Sequence, residues 1–439
     1  MAARAERELE KEGRSGSRAR RPPPLVMPAD ADGANGEGKA QELELAPVLT
    51  PGPGPERWTG DWAADTLGPA QTVLVHRLVG DGGGWRTRWG EVAVADAPFA
   101  HGALRACWRA TVSWAVGEPY VVKQYMSPDA DVPANYVADV QMQTRARALA
   151  DAYNAARPPL HVELLEAMVL ELLPEASAVV AQGEMPEGFA HDGGRIGAYG
   201  VVMACERFVA GNYVKHSNNG GVVGHVGAAG GVVRNTPQAF SHFTYAVTQG
   251  EAVVVDIQGV GDVYTDPQIH TRSAEQTLGD RGVRGMALFF ATHLCSPVCA
   301  KLGLRPFQLS PAEIEALAAT QVAGTTGPAT PVAGDGRERW PALDAQAKFL
   351  GAFAAAVATD MAWIAALPDV FDAPASSEVR RDADLHYALA QHFVRDRSRA
   401  LFHLVVAAQG GCEEAQQAVV AIKVQFHRPD AGQSGGGAL

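Results

Sequence analysis

The sequence predicts an α+β fold with one large mixed domain and a smaller helical region. Two patterns predict it. Over residues 90–320, β-branched runs alternate with helix-like segments, and beyond a stretch rich in Gly, Thr and Pro the chain turns Ala- and Leu-rich. Composition agrees: 439 residues at 47% hydrophobic can bury a large core, and five scattered cysteines rule out a disulfide scaffold. A net charge of −12 argues against nucleic acid or anionic membrane as a partner. The N-terminus has no apolar signal core and no run is long enough to span a bilayer, so a soluble, reducing, cytoplasmic setting is expected.

In chain order, residues 1–55 mix charge, Gly and Pro and read as a disordered tail. Residues 56–89 carry four tryptophans and a strand-like run at 72–79, with Trp58 and Trp62 spaced to share one face of a short helix. The run 119–126 reads as a strand, and 136–154 as a long helix ended at Arg157-Pro158-Pro159. Strands follow at 166–173, 199–209 and 251–258, a helix at 284–295, and a capping box at Ser310-Pro311-Ala312-Glu313. The Gly/Ala-rich stretches 174–200 and 220–233 read as surface loops. Residues 321–342 read as a flexible linker, 343–428 as a helical region with one hairpin repeat, and 429–439 as a disordered tail.

Four constellations could carry chemistry. A β-branched run leads into Asp256; an extended backbone would put Gln258 on the same face, with Asp262 and Asp266 beyond two glycines. Such oxygens suit Mg²⁺ or can orient a hydroxyl, and equally can serve Asx turns. His293, Cys295 and Cys299, with His242 upstream, offer a closed tetrahedral zinc set if Cys295 and Cys299 share a helix face. The bland alternative is two buried thiols and a satisfied histidine, and a catalytic zinc would need an open position. Lys123, inside an apolar strand, must face solvent or find an anion, while Arg105 after a glycine turn could hold phosphate. Gly279, Gly282 and Gly285 lie in a glycine-rich turn opening a helix, a pattern suited to phosphate but common elsewhere.

Together these residues resemble the α-kinase family. The likeness is dense in 236–245, 254–271 and 282–290, continues through 304–311, and spans about 90–320. It implies a two-lobed protein-kinase-like fold over 90–320 with a zinc-stabilised second lobe, and a Sel1-like repeat within 343–428. It further implies ATP with Mg²⁺ and structural Zn²⁺ as cofactors. Lys123 would pair with the ATP phosphates, Arg105 would add a phosphate contact, Glu206 would meet adenine, and Asp256 would be the catalytic aspartate. Gln258 and Asp266 would hold Mg²⁺; His242, His293, Cys295 and Cys299 would hold zinc. Gly279, Gly282 and Gly285 stand in a glycine loop shorter than the family form. Arg234 and Thr236 match an anion pocket that reads a linker phosphothreonine, for which Thr325 or Thr326 is a candidate. Elongation factor 2, phosphorylated on threonine, is the implied substrate. Calmodulin is the implied partner of 56–89, although that segment lacks a basic amphipathic helix. The chain is expected to act as a monomer. The rival readings are an ATP-binding pseudokinase acting as a zinc-stabilised interaction module, and a zinc hydrolase.

Overall fold

Val73, Leu74 and Val75 form an apolar run with no exposed surface, and the strand they build is central to the largest sheet. The computed structural model describes residues 67–80, 83–102, 104–223, 233–274, 277–323, 367, 370–371, 376–393 and 396–426. The tails 1–55 and 429–439, Trp58 and Trp62, Thr325 and Thr326, and nearly all of 324–370 lie outside these residues.

The first half is an antiparallel sheet of β1 (Gln71–Leu78), β2 (Trp85–Val94), β3 (Ala100–His101), β4 (Arg105–Val112), β5 (Tyr120–Tyr125), β7 (Ala167–Leu172), β8 (Phe189–His191) and β9 (Val201–Arg207). Its order is β3-β4-β5-β9-β7-β1-β2-β8, and β2 also pairs with β4, so six strands close into a barrel. Inside lie Val73, Val75, Val92, Ala110, Val122, Leu170 and Cys205. Side chains alternate across each strand, so Val122 points inward and Lys123 outward, beside Ala204 on β9. The sheet thus begins well before residue 90, because β1 and β2 supply part of its core.

Helix α1 (Pro133–Ala155) lies on the outer face of this sheet. Pro133 occupies its first turn, where a missing N–H costs nothing. Its later residues Met142, Ala146 and Tyr153 pack on Phe240, Val254, Ile257 and Tyr264, so one helix serves both halves. The second half holds the sheet β10-β12-β13-β6, formed by Tyr213–Lys215, Gln258–Val260, Val263–Thr265 and Glu163–Leu164. A ribbon of β11 (Ala252–Val255) and β14 (Gln268–Thr271) lies beside helix α3 (Asn235–Val247).

Two expectations about this region are corrected. Residues 174–200 are not only loop: Glu175–Glu184 form helix α2, and β8 joins the sheet. Ala181 and Met185 bury against Leu74 and Leu173, an apolar face hidden among exposed alanines and valines. The strand expected over 251–258 ends at Val255, because Asp256 takes a left-handed backbone (φ 57°).

Helices α4 (Gly282–Thr292), α5 (Pro297–Lys301) and α6 (Pro311–Ala323) complete this half. Ser310 and Glu313 form the capping box: the Ser310 N–H and hydroxyl donate to the Glu313 carboxylate at 2.8 and 2.6 Å. Helices α7 (Ser377–His392), α8 (Arg397–Gln409) and α9 (Glu413–Phe426) pack through Ala383, Tyr387, Leu404, Val405 and Val419. The helical unit shares a core with the second half, where Leu385 and Leu389 meet Phe289, Phe290 and Phe307. Among the described residues, no helix is long and apolar enough to cross a membrane.

Candidate active site and metal centre

Lys123 is held where strand alternation aims it, toward α1 and the second half. Its ammonium lies 2.6 Å from Glu206 on β9 and donates to the Thr265 hydroxyl at 3.3 Å. Thr265 in turn donates to Glu206 through a short bond, and the Gln143 amide of α1 donates to the same carboxylate at 3.1 Å. Burial pushes the Glu206 carboxyl up, but Lys123 and these hydrogen bonds outweigh it and hold it below the ordinary range. Glu206 stands near the end of β9, just before the segment that leaves the barrel for the second half. Its side chain is turned to Lys123.

Arg105 is next in the network. It donates to Asp139 of α1 at 2.7 Å and pairs with Asp266, while Tyr125 donates to the same Asp139 at 2.7 Å. Burial works against the guanidinium's charge, but Asp139 and its neighbours raise its affinity for the proton. Asp266 lies beside Thr265 on a left-handed backbone (φ 53°). Gln258 donates its amide N–H to the Asp266 carbonyl at 3.1 Å, leaving the amide oxygen outside that contact. Because the chain turns at Asp256, the continuous extended backbone expected to join it to Gln258 does not form. The turn instead carries the Asp256 carboxylate to Lys215 of β10, 2.6 Å away. Burial raises the Asp256 pKa against the opposing pull of Lys215. A carboxylate so poised has more affinity for a proton than an exposed one.

Sequence reasoning passed over Lys215, Asp139, Gln143 and Thr265. The register that sets Lys215 opposite Gln258 is the signal that places it here, and only a known strand pairing reveals it.

The glycine loop is tied to β14. Asp280 accepts from the Thr271 N–H and from the Gly282 N–H at 3.0 and 2.9 Å, and a Cβ on Gly285 would run into the His270 ring. Gly282 has φ 63°, and Gly279 lies against the Gln268 side chain. The described contacts of these three glycines are with β14 and its loop. Arg234 donates to Asp262 at 2.8 and 3.0 Å and to the Gly261 carbonyl at 2.6 Å; Thr236 is buried at the start of α3.

His242 (α3), His293, Cys295 and Cys299 bring one donor atom each to within 4.8 Å of one another. Cys295 precedes α5 and Cys299 lies on it, so the pair does not share a helix face; the Ser296–Pro297 entry to α5 folds one sulfur back toward the other. The His293–His242 nitrogen distance is 3.1 Å, and two sulfur–nitrogen distances are both 3.6 Å. A tetrahedron with ordinary zinc bond lengths has N–N edges of about 3.3 Å and N–S edges of about 3.6 Å. The donors therefore fit zinc in both chemistry and spacing.

Residues 100–299 match the model of the Alpha-kinase family. The chain is 36% identical over 252 residues to eukaryotic elongation factor 2 kinase of Rattus norvegicus, covering 55% of this chain and 31% of that protein. It is 36% identical over 248 residues to alpha-protein kinase 1 of Dictyostelium discoideum, covering 56% of this chain and 16% of that protein. The chain thus spans about a third or less of the length of these curated relatives. A solved structure of the alpha-kinase domain of myosin heavy chain kinase A in complex with AMP aligns at TM-score 0.44 and 28% identity, covering 54% of this chain and 99% of that one. With its family match running through Arg105, Lys123, Glu206, Asp256 and the zinc-type cluster, the chain carries an Alpha-kinase family domain.

Proposed function

We propose that this chain is a protein kinase that moves the γ-phosphate of ATP to a serine or threonine hydroxyl, with a threonine of elongation factor 2 as the substrate. The observation that carries the reading is the meeting of Lys123, Arg105 and Asp266 with the nearby Asp256–Lys215 pair, drawn from five separate segments. Phosphoryl transfer needs charge placed with precision more than covalent help. Lys123 would leave Glu206 in part to contact the ATP phosphates, with Arg105 beside it. Glu206, at the strand end, would border the adenine. Gln258 and Asp266 offer hard oxygen donors suited to Mg²⁺, which supplies charge neutralisation when bound. Asp256 orients the acceptor hydroxyl. As the acceptor oxygen bonds to phosphorus and the bond to the β,γ-bridging oxygen breaks, Asp256 takes the hydroxyl proton. Lys215 holds the Asp256 carboxylate in place.

The four His and Cys donors hold a structural zinc; all four positions are filled by protein, which disfavours a hydrolase. Gly279, Gly282 and Gly285 shape the loop beside the substrate, and Arg234 with Thr236 serves an anion pocket. The unit α7–α9 is the Sel1-like element. Calmodulin would act through 56–89, and the chain would work as a monomer in the cytoplasm.

The test is incorporation of labelled γ-phosphate into elongation factor 2 with Mg²⁺, with and without calcium–calmodulin. Asp256→Ala should lower transfer by about 10²–10⁴-fold. Unchanged transfer in that variant would overturn the role of Asp256. The pseudokinase reading has one observation in its favour, since the cationic groups of the cleft are already matched to carboxylates. ATP binding without transfer to any protein would establish it.

A further inference from the structure

A second buried polar chain, sharing no residue with the cleft, lies where the helical unit meets the second half of the domain. Glu313 of α6, already holding Ser310, lies 3.1 Å from His403 Nε2 of α8. His403 Nδ1 lies 2.8 Å from His386 Nδ1 of α7. Both rings are buried, and Phe307 stacks on His386 with ring centroids 4.2 Å apart. Three helices from two parts of the chain are thus tied by one line of hydrogen bonds.

The proton count along this line is fixed. His403 Nε2 carries the hydrogen that Glu313 accepts, and the short Nδ1–Nδ1 contact has room for a single proton. If both Nδ1 atoms were protonated, two N–H groups would collide head-on. One ring must therefore stay neutral while the seam is closed, whereas an exposed pair takes up two protons as pH falls below the ordinary histidine value.

We propose that this seam is a proton-sensitive latch that fastens the helical unit to the catalytic domain and loosens on acidification. Among the described residues, the charged groups facing the pair are few. Glu313 comes from α6, and Arg305 comes from the segment before it. Asp382, one turn before His386, is already bound to Arg305 and accepts from Tyr245 at 2.9 Å. Arg399 of α8 lies over the Phe393 ring. Burial, then the His403 ring and Arg305, depress the His386 pKa, while His403 and Ser310 keep the Glu313 carboxyl below its usual range after burial is offset. A depressed histidine stabilises the closed seam above its unfolded pKa and loses that stabilisation as pH falls from there toward its folded value. Glu313 stays ionised in that window, so the effect belongs to His386.

Hydrogen exchange of the α7 and α8 amides in the full chain, corrected for intrinsic rates, tests this between pH 7.5 and 5.5. The opening constant should rise by up to about tenfold per pH unit below roughly pH 6.5. His386→Asn puts an amide donor at the Nδ1 position and should flatten the profile. His386→Phe, which keeps the stack on Phe307, should flatten it too if the first variant fails to fold. A wild-type opening constant that ignores pH, or an equal slope in the variants, would overturn the latch. The measurement needs neither ATP nor substrate, so its outcome is independent of phosphate transfer.

Discussion

Around Lys123 every cation is held by at least one carboxylate, Arg105 by two; around His242 four lone-pair donors converge on one another. The cations of the first cluster are already paired within the protein, so an anionic ligand must compete with Glu206, Asp139 and Asp266 for them. The second is complete only with a cation. Under the proposed function, one buried cluster would have to be opened for its work and the other would have to be filled.

The largest effect should come from emptying the second. Metal analysis of the purified chain should find one zinc per chain. Cys299→Ser or chelation should destabilise the second half by roughly 10 kcal/mol or more, the scale of structural zinc binding. A zinc-free preparation with the same thermal midpoint would break the comparison. Next in size is Lys123→Met, which leaves the buried Glu206 carboxylate without its counter-ion and should cost about 3–5 kcal/mol in urea unfolding. Adding Glu206→Gln should recover much of that loss; purely additive effects would show that the two groups are not coupled.

A smaller effect tests whether the glycine loop belongs to the same balance. Burial pushes the Asp280 carboxyl up, but the nearby His270 ring and hydrogen bonds from Thr271 and the Gly282 amide prevail and bring it to about 2. A carboxyl lowered from 3.8 to about 2 contributes stability at pH values above its unfolded pKa, here about 2 kcal/mol, and loses it as pH falls from 3.8 toward 2. Asp280→Asn should therefore lower stability at pH 7, and the gap to wild type should close in acid. A gap that persists at pH 2 would locate the cost elsewhere. Thr265→Val, which removes the hydroxyl bridging Lys123 and Glu206, should cost only about 1 kcal/mol because the ion pair itself remains.

What the sequence disclosed follows from how local each signal is. Val121-Val122-Lys123 announces both a strand and its odd lysine, and His293, Cys295 and Cys299 lie within seven residues. The turn at Asp256 was hidden, since a β-branched run gives no warning that its next residue will take a left-handed backbone. Gln143 and Asp139 read as ordinary polar positions of a helix; only packing of α1 across both halves turns them into partners of Glu206 and Arg105. Helix α2 was lost among small residues, because two buried side chains are too few to make a visible period.

The left-handed aspartates at 256 and 266 carry an evolutionary consequence. Among L-residues asparagine and aspartate enter that conformation at times, whereas glycine, which has no Cβ, enters it without steric cost. A laboratory selection for heat resistance alone should drift toward Gly at both sites, gaining degrees while discarding the carboxylates. Lineages that keep aspartate there would be declaring that natural selection watches something other than the melting point.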